Sequence, residues 1–177
     1  MRSPVIAITM GDAAGVGPEI IVKAFARLAG TGWCRPLVVG DARRLARAAA
    51  ITGVAAAVVP VPGPSAARYL PATIDCIDVG GVPDDLPFGV LSAVAGDVAF
   101  RCIERAVALA LSGDVDAICT APINKEALHA AASATVICFR SHPPERSRSP
   151  SPTTRATASS RRSRGATRAR SACPTRA

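Results

Sequence analysis

Aromatic side chains are scarce in this sequence, with Phe, Trp and Tyr making up 3% of its 177 residues. Hydrophobic residues still reach 49%, so a core is available, but it must be assembled largely from Ala, Val and other small apolar side chains. Long apolar runs are absent. No stretch approaches the roughly 18 residues needed to cross a bilayer, and the residues before Gly11 are too few for a secretory signal. The expected location is the cytoplasm. Closely spaced cysteine pairs are missing too. Cys34, Cys76, Cys102, Cys119, Cys138 and Cys173 form no CxxC and no Cys/His cluster, which argues against zinc-finger spacing and a secreted disulfide framework. Reduced, buried thiols are expected, with Cys102 and Cys119 acting as small hydrophobes within apolar stretches. Histidine is limited to His129 and His142, and two side chains cannot enclose a divalent metal.

The net charge of +8 is unevenly distributed. The first 132 residues carry 11 Lys+Arg against 12 Asp+Glu, whereas residues 133–177 carry ten Arg and a single acid, Glu145. The basic character therefore belongs to the carboxyl-terminal stretch, and the rest of the chain has no nucleic-acid binder's charge.

Alternating short apolar runs and helical periodicities mark residues 1–131. Pro4–Met10 reads as a strand, followed by the turn Gly11–Gly17. Pro18 and Glu19 suit the first turn of a helix, because proline's missing N–H is not needed there and negative charge complements the helix amino end. Ile20, Ile21, Ala24, Phe25 and Leu28 then recur at helical spacing, and Gly30 can stop the helix. Strands are predicted at Leu37–Val39, Ala55–Val61 and Thr73–Val79, and a buried strand at Val115–Thr120. Helices are predicted over Ala42–Ala50 and Leu91–Leu111, and from near Asn124. In the second of these, Val94, Val98, Ile103, Val107 and Leu111 mark an apolar side. Such alternation predicts an α/β domain with a largely parallel sheet.

The pattern stops after Ala132. Residues 132–177, rich in Arg, Ser, Pro and Thr, offer no apolar periodicity beyond Thr135–Phe139 and are expected to be disordered. Their composition, with ten Arg and no Lys, is what out-of-frame translation of a GC-rich gene would give. A frameshift, or a frame error in the reading of the gene, just after residue 131 is therefore expected, and reading the DNA in all three frames tests it.

Two segments carry candidate chemistry. The first, Ile8-Thr-Met-Gly-Asp-Ala-Ala-Gly-Val-Gly-Pro-Glu-Ile20, is a tight turn from a strand into a helix. Its glycines allow close backbone approach, and amides at the helix start can meet an anion. The spacing of Gly11, Gly15 and Gly17 is not that of a dinucleotide-binding GxGxxG. The second, Cys119-Thr-Ala-Pro-Ile-Asn-Lys-Glu-Ala-Leu128, also runs from a strand end into a helix. Lys125 can offer charge to a phosphate or carboxylate, or stand solvated. Asn124 can hydrogen-bond a hydroxyl, or cap the helix. His129 reads as a partly exposed residue of that helix.

In this order, about 100 residues apart, the two segments resemble the 4-hydroxythreonine-4-phosphate dehydrogenase family of vitamin B6 biosynthesis, whose members carry GDPAGIGPE-like and TAPINKEAL-like stretches. Ala13 stands where that family usually has proline, and Phe88–Leu111 resembles the helix preceding its second stretch. The resemblance covers residues 1 to about 131. It implies part of the layered fold of isocitrate and isopropylmalate dehydrogenases. It further implies NAD-dependent oxidation of a phosphorylated hydroxy acid, such as 4-phosphooxy-L-threonine or 4-phospho-threonate. A divalent metal (Zn, Mg or Co) polarises the substrate, decarboxylation follows, and the enzyme is a homodimer. By the same resemblance Asn124 and Lys125 are candidate substrate-binding residues, and Gly11, Asp12, Gly15 and Gly17 form a loop near the ligand cleft.

The chain departs from the family after its second segment. The family's Gly-His-Thr-Glu stretch is replaced by Ala132-Ser-Ala-Thr-Val-Ile-Cys-Phe-Arg-Ser-His-Pro-Pro, and the family's three metal-binding histidines lie farther on. The 177-residue chain is therefore expected to bind neither NAD nor metal and to be inactive, and no catalytic or metal residue is assigned. The alternative is a non-enzymatic fragment whose arginines, from Arg140 to Arg176, bind nucleic acid nonspecifically. No aromatic interleaving supports that alternative. An isopropylmalate-type dehydrogenase fits less well, because Gly11–Gly17 is two residues longer than the GDGIGPE turn.

Overall fold

The computed structural model describes the backbone of residues 3–28 and 31–139, and side chains as far as residue 132. Disorder is expected from residue 132, but helical backbone continues through Phe139, which corrects that boundary; Gly30 and residues 140–177 lie outside the described residues. The chain alternates β1 (Val5–Thr9), α1 (Gly17–Leu28), β2 (Arg35–Gly40), α2 (Ala42–Thr52), β3 (Ala57–Pro60), β4 (Thr73–Asp78), α3 (Ala93–Leu111), β5 (Ala117–Thr120) and α4 (Lys125–Phe139). One sheet has the order β3-β4-β2-β1-β5, with every neighbouring pair parallel. The α/β class and parallel sheet expected from alternation are both present. No described helix is long and apolar enough to cross a membrane.

The strand order places the helices. From β1 the chain steps outward through β2, and β5 then returns to the opposite side of β1. Right-handed crossovers consequently put α1 and α2 on one face and α3 on the other. The observed packing agrees, because α1 lies against α2, whereas α3 lies against β1, β2, β5 and α4. Central strands are the most apolar and the most covered. Leu37, Val38 and Val39 of β2 are fully buried, as are Ala7 of β1 and Ile74 of β4. Ile21, Val22 and Phe25 anchor α1 on this core, each contributing about 1.5–3 kcal/mol through the area it removes from water.

Local signals set the helix ends. Asp41 caps α2 by accepting from Arg44 N (2.9 Å), and its second carboxylate oxygen accepts from Val82 N (3.2 Å). At the far end Gly53 adopts φ 67° in a left-handed cap. Ser92 caps α3 through Ala95 N, 3.4 Å away. Asp41 is 1% exposed, so Asp41→Ala leaves two amides without partners. A loss of about 2 kcal/mol in chemical unfolding is expected.

Two expectations are corrected here. The apolar side marked on α3 is largely not its buried face. Val94, Val107 and Leu111 are exposed, and the helix buries Ala95, Gly96, Val98, Ala99, Cys102, Ala106 and Leu109. Close approach selects small residues there, since a Cβ on Gly96 would collide with the carbonyl oxygen of Ala127 in α4. The second correction concerns β5, whose four residues are all exposed although their sequence reads as a buried strand. It is an edge strand, and no described element covers its outer side. Cys119 is therefore an exposed thiol rather than a small core hydrophobe, and Cys34 is only partly buried. Cys76 and Cys102 are buried as expected, and burial pushes the Cys102 thiol up to about 12.

Candidate functional site

In an open parallel sheet the loops at the carboxyl ends of the strands part where the strand order reverses, and there a ligand can sit. The reversal in this sheet falls beside β1. Both candidate segments emerge at that point, Gly11–Gly17 from the end of β1 and Ala121–Asn124 from the end of β5. Their backbones touch. Asp12 N donates to Pro122 O (3.0 Å), and Ala121 N donates to Thr9 O (3.1 Å). Gly11, at φ 72°, faces the Pro122 and Ala121 carbonyls so closely that a Cβ has no room. Gly17 is likewise pressed on Met10 O, with the Ala121 methyl nearby. Thus Gly11 and Gly17 serve close backbone approach.

Asp12 is buried and builds the turn. Its Oδ1 accepts from Ala14 N (2.9 Å), and its carbonyl accepts from Gly15 N (3.1 Å). Gly15 is half-buried beside the same carboxylate. Asn124 takes the capping alternative, as its Oδ1 accepts from Glu126 N (3.0 Å) and Ala127 N (3.2 Å) at the start of α4. Lys125 is exposed as the first residue of that helix. Five of the six candidate residues therefore have defined structural work at the loops, and Lys125 is the one carrying an exposed charge.

Arg44, which periodicity does not single out, holds the loop in place. It is 3% exposed. Its Nε donates to Ala13 O (2.7 Å) and its Nη1 to Leu86 O (2.8 Å), while its guanidinium lies 3.4 Å from the Phe88 ring centroid. Burial, and then the neighbouring Arg47, pull its pKa below the usual guanidinium value, opposed by Asp41 and Asp12. Gly89 N adds a 2.7 Å bond to Ala14 O. Arg101 fastens the preceding bend through Val79 O (3.1 Å) and Gly80 O (3.0 Å). Arg44→Met should loosen this junction, costing about 2 kcal/mol through two vacated carbonyls. Faster amide exchange at Gly89 than at core strand amides would register the loosening.

A cavity of about 710 Å³ lies elsewhere, at the amino ends of the strands, between Phe25, Arg35, Tyr69 and Ile74. Its size is ligand-like, but neither candidate segment reaches it. The convergence of loops therefore weighs more than the volume. Among the described residues no three His, Cys, Asp or Glu side chains gather as a metal-ligand set.

A parallel α/β sheet with a glycine-rich loop and a second strand-end loop meeting at its reversal point defines the class, an α/β domain with both loops at the carboxyl edge of the sheet. The chain belongs to the family described as pyridoxal phosphate biosynthetic protein PdxA, whose profile matches residues 32–136. A D-threonate 4-phosphate dehydrogenase of Cupriavidus necator is 59% identical over 127 residues, covering 72% of this chain and 38% of its own length. A 4-hydroxythreonine-4-phosphate dehydrogenase of Trichlorobacter lovleyi is 43% identical over 130 residues, covering 72% and 39%. The crystal structure of a 4-hydroxythreonine-4-phosphate dehydrogenase from Burkholderia phymatum superimposes with a TM-score of 0.72 at 60% identity, covering 74% of this chain and 40% of that one. The chain thus spans about two-fifths of the length of these relatives.

Proposed function

We propose that residues 1–131 are the loop-bearing, amino-terminal part of an NAD-dependent dehydrogenase for a phosphorylated hydroxy acid. D-threonate 4-phosphate is the preferred substrate and 4-phosphooxy-L-threonine the related one, with oxidation preparing the acid for decarboxylation. The meeting of the two strand-end segments through Asp12 N and Pro122 O carries this reading. It sets the helix α1 amino end and Lys125 at the edge of the sheet where an anionic substrate binds most favourably. The preference for D-threonate 4-phosphate follows the name of the relative at 59% identity.

By this reading the chain supplies binding surface and not a complete reaction centre. Charge stabilisation and positioning, the main sources of rate enhancement, need groups beyond these loops. The purified 177-residue chain should form no NADH above background from NAD and D-threonate 4-phosphate, with or without added Zn, Mg or Co. Metal-dependent turnover in that assay would overturn the prediction of inactivity. For residues 132–177 we propose only charge-driven contact with nucleic acid, favoured by the ten arginines of residues 133–177. Filter binding that does not weaken between low and high salt would contradict it.

A further inference from the structure

The cavity of about 710 Å³ at the amino ends of the strands falls within the size range of small-molecule sites. Its described lining is mostly apolar, with Phe25, Val54 and Ile74 among its walls, and Arg35 is the only charged side chain of that lining. Arg35 Nε donates to Ser3 O (3.0 Å), and the guanidinium lies 5.3 Å from the Tyr69 ring centroid. Its Nη2 is buried with no acceptor. A buried donor without a partner is uncommon in a folded protein and asks for an explanation. One wall of the cavity is also strained. Tyr69 (φ 52°) and Ala72 (φ 55°) are the two described non-glycine residues with positive φ, and with Leu70 and Pro71 they form one side of the cavity. The buried Asp75 holds this conformation, since its Oδ2 accepts from Tyr69 N (2.7 Å) and Arg68 N (3.1 Å). Backbone held in sparsely populated regions gathers at ligand clamps.

We propose that this cavity binds a small amphipathic monocarboxylate, with its apolar body among Phe25, Val54 and Ile74 and its carboxylate against the Arg35 guanidinium. The carboxylate supplies the acceptor that no protein atom gives Nη2, in a charge-assisted bond of the stronger kind. Electrostatics limits the ligand to one negative charge. Helix α1 ends at Leu28, on the cavity wall, and α2 ends at Thr52, two residues before Val54. The carboxyl ends of helices are electronegative, so one guanidinium balances a carboxylate there, whereas a phosphate dianion is disfavoured. An amine would meet the charge of Arg35, and no described carboxylate lines the cavity to receive it. This site lies at the opposite ends of the strands from the two candidate loops, and it does not rest on the dehydrogenase reading.

The test is titration of the full 177-residue chain with octanoate, read by the fluorescence of Trp33, the single tryptophan, which lies between the lining residues Gly32 and Cys34. Saturable one-to-one binding is expected, with octanol, octylammonium and octyl phosphate each at least about tenfold weaker. Arg35→Met should lower octanoate to the affinity of octanol while octanol binding stays in place, and Arg35→Lys should keep a preference for octanoate. Retained octanol binding separates loss of the charge from loss of the fold. Ala26→Phe, at an exposed lining position of α1, should weaken octanoate and octanol alike at least about tenfold by filling the space. Octanoate that gives no saturable signal at millimolar concentration overturns the proposal, as does octanol or octyl phosphate binding equally well. An octanoate affinity unchanged in Ala26→Phe places the ligand on another apolar surface and overturns it too.

Discussion

Replacing Gly11 by alanine is expected to cost the domain about 2–5 kcal/mol and to part the two loops of the candidate site. Two penalties combine. The first is conformational, since φ 72° lies in the left-handed region, which costs an L-residue with a Cβ about 1–2 kcal/mol. The second is steric, because the new Cβ meets the backbone carbonyls of Pro122 and Ala121 rather than a side chain that can swing away. Forcing an atom into such packing typically costs about 1–3 kcal/mol. Gly53→Ala separates the terms. Gly53 has φ 67° with nothing within 4 Å of its Cβ position, so it should lose only the conformational part, about 1–2 kcal/mol. If Gly11→Ala costs no more than Gly53→Ala in chemical unfolding, the contact between the two segments is not as tight as described. Exchange at the Asp12 amide, which bonds to Pro122 O, should also rise selectively in Gly11→Ala.

Gly96→Ala should destabilise the chain by about 2 kcal/mol, a result whose sign is informative. Within an isolated helix this change stabilises by nearly 1 kcal/mol, because glycine is the more costly residue in a helix interior. Gly96 is not isolated. A Cβ there would strike Ala127 O and the adjacent backbone of α4, so the helices must separate. Separation exposes Ala127 and Ala131, which are buried at this contact. It also shifts the capped start of α4, where Asn124 holds Glu126 N and Ala127 N. A stabilised Gly96→Ala variant would show that α3 and α4 are not in contact at this point. A destabilised one with faster exchange at Ala127 would show that the site's second loop is braced from behind by α3.

Both substitutions concern glycines, but only one of them lies in a segment that local pattern singles out. Gly11 sits in the strand-to-helix turn whose residues mark it as a place of close backbone approach. Gly96 lies inside a helix whose larger apolar residues suggest a different buried side. The error over α3 has a plain cause. Helical spacing identifies apolar positions but not which of them are covered, and at 100° per residue Val94 lies well off the side of Val107 and Leu111, all three of which the described fold leaves exposed. The β5 error has a related cause. Ala117–Thr120 is apolar enough for a central strand, and nothing local tells a covered strand from one at an open edge. Arg44 was illegible for a third reason. An arginine in the first turn of a helix is ordinary, and its partners Ala13, Leu86 and Phe88 are distant along the chain.

The order of amino acids alone determined the alternation of strands and helices and the two glycine- and proline-marked turns. Each depends on residues within a few positions of one another, where backbone sterics and capping hydrogen bonds act. Tertiary structure alone decided that Asp12 meets Pro122, that Arg44 joins the glycine loop to Phe88, and that β5 lies at an edge. Those contacts join residues tens of positions apart, and only the strand order and the close approach of packed layers bring them together.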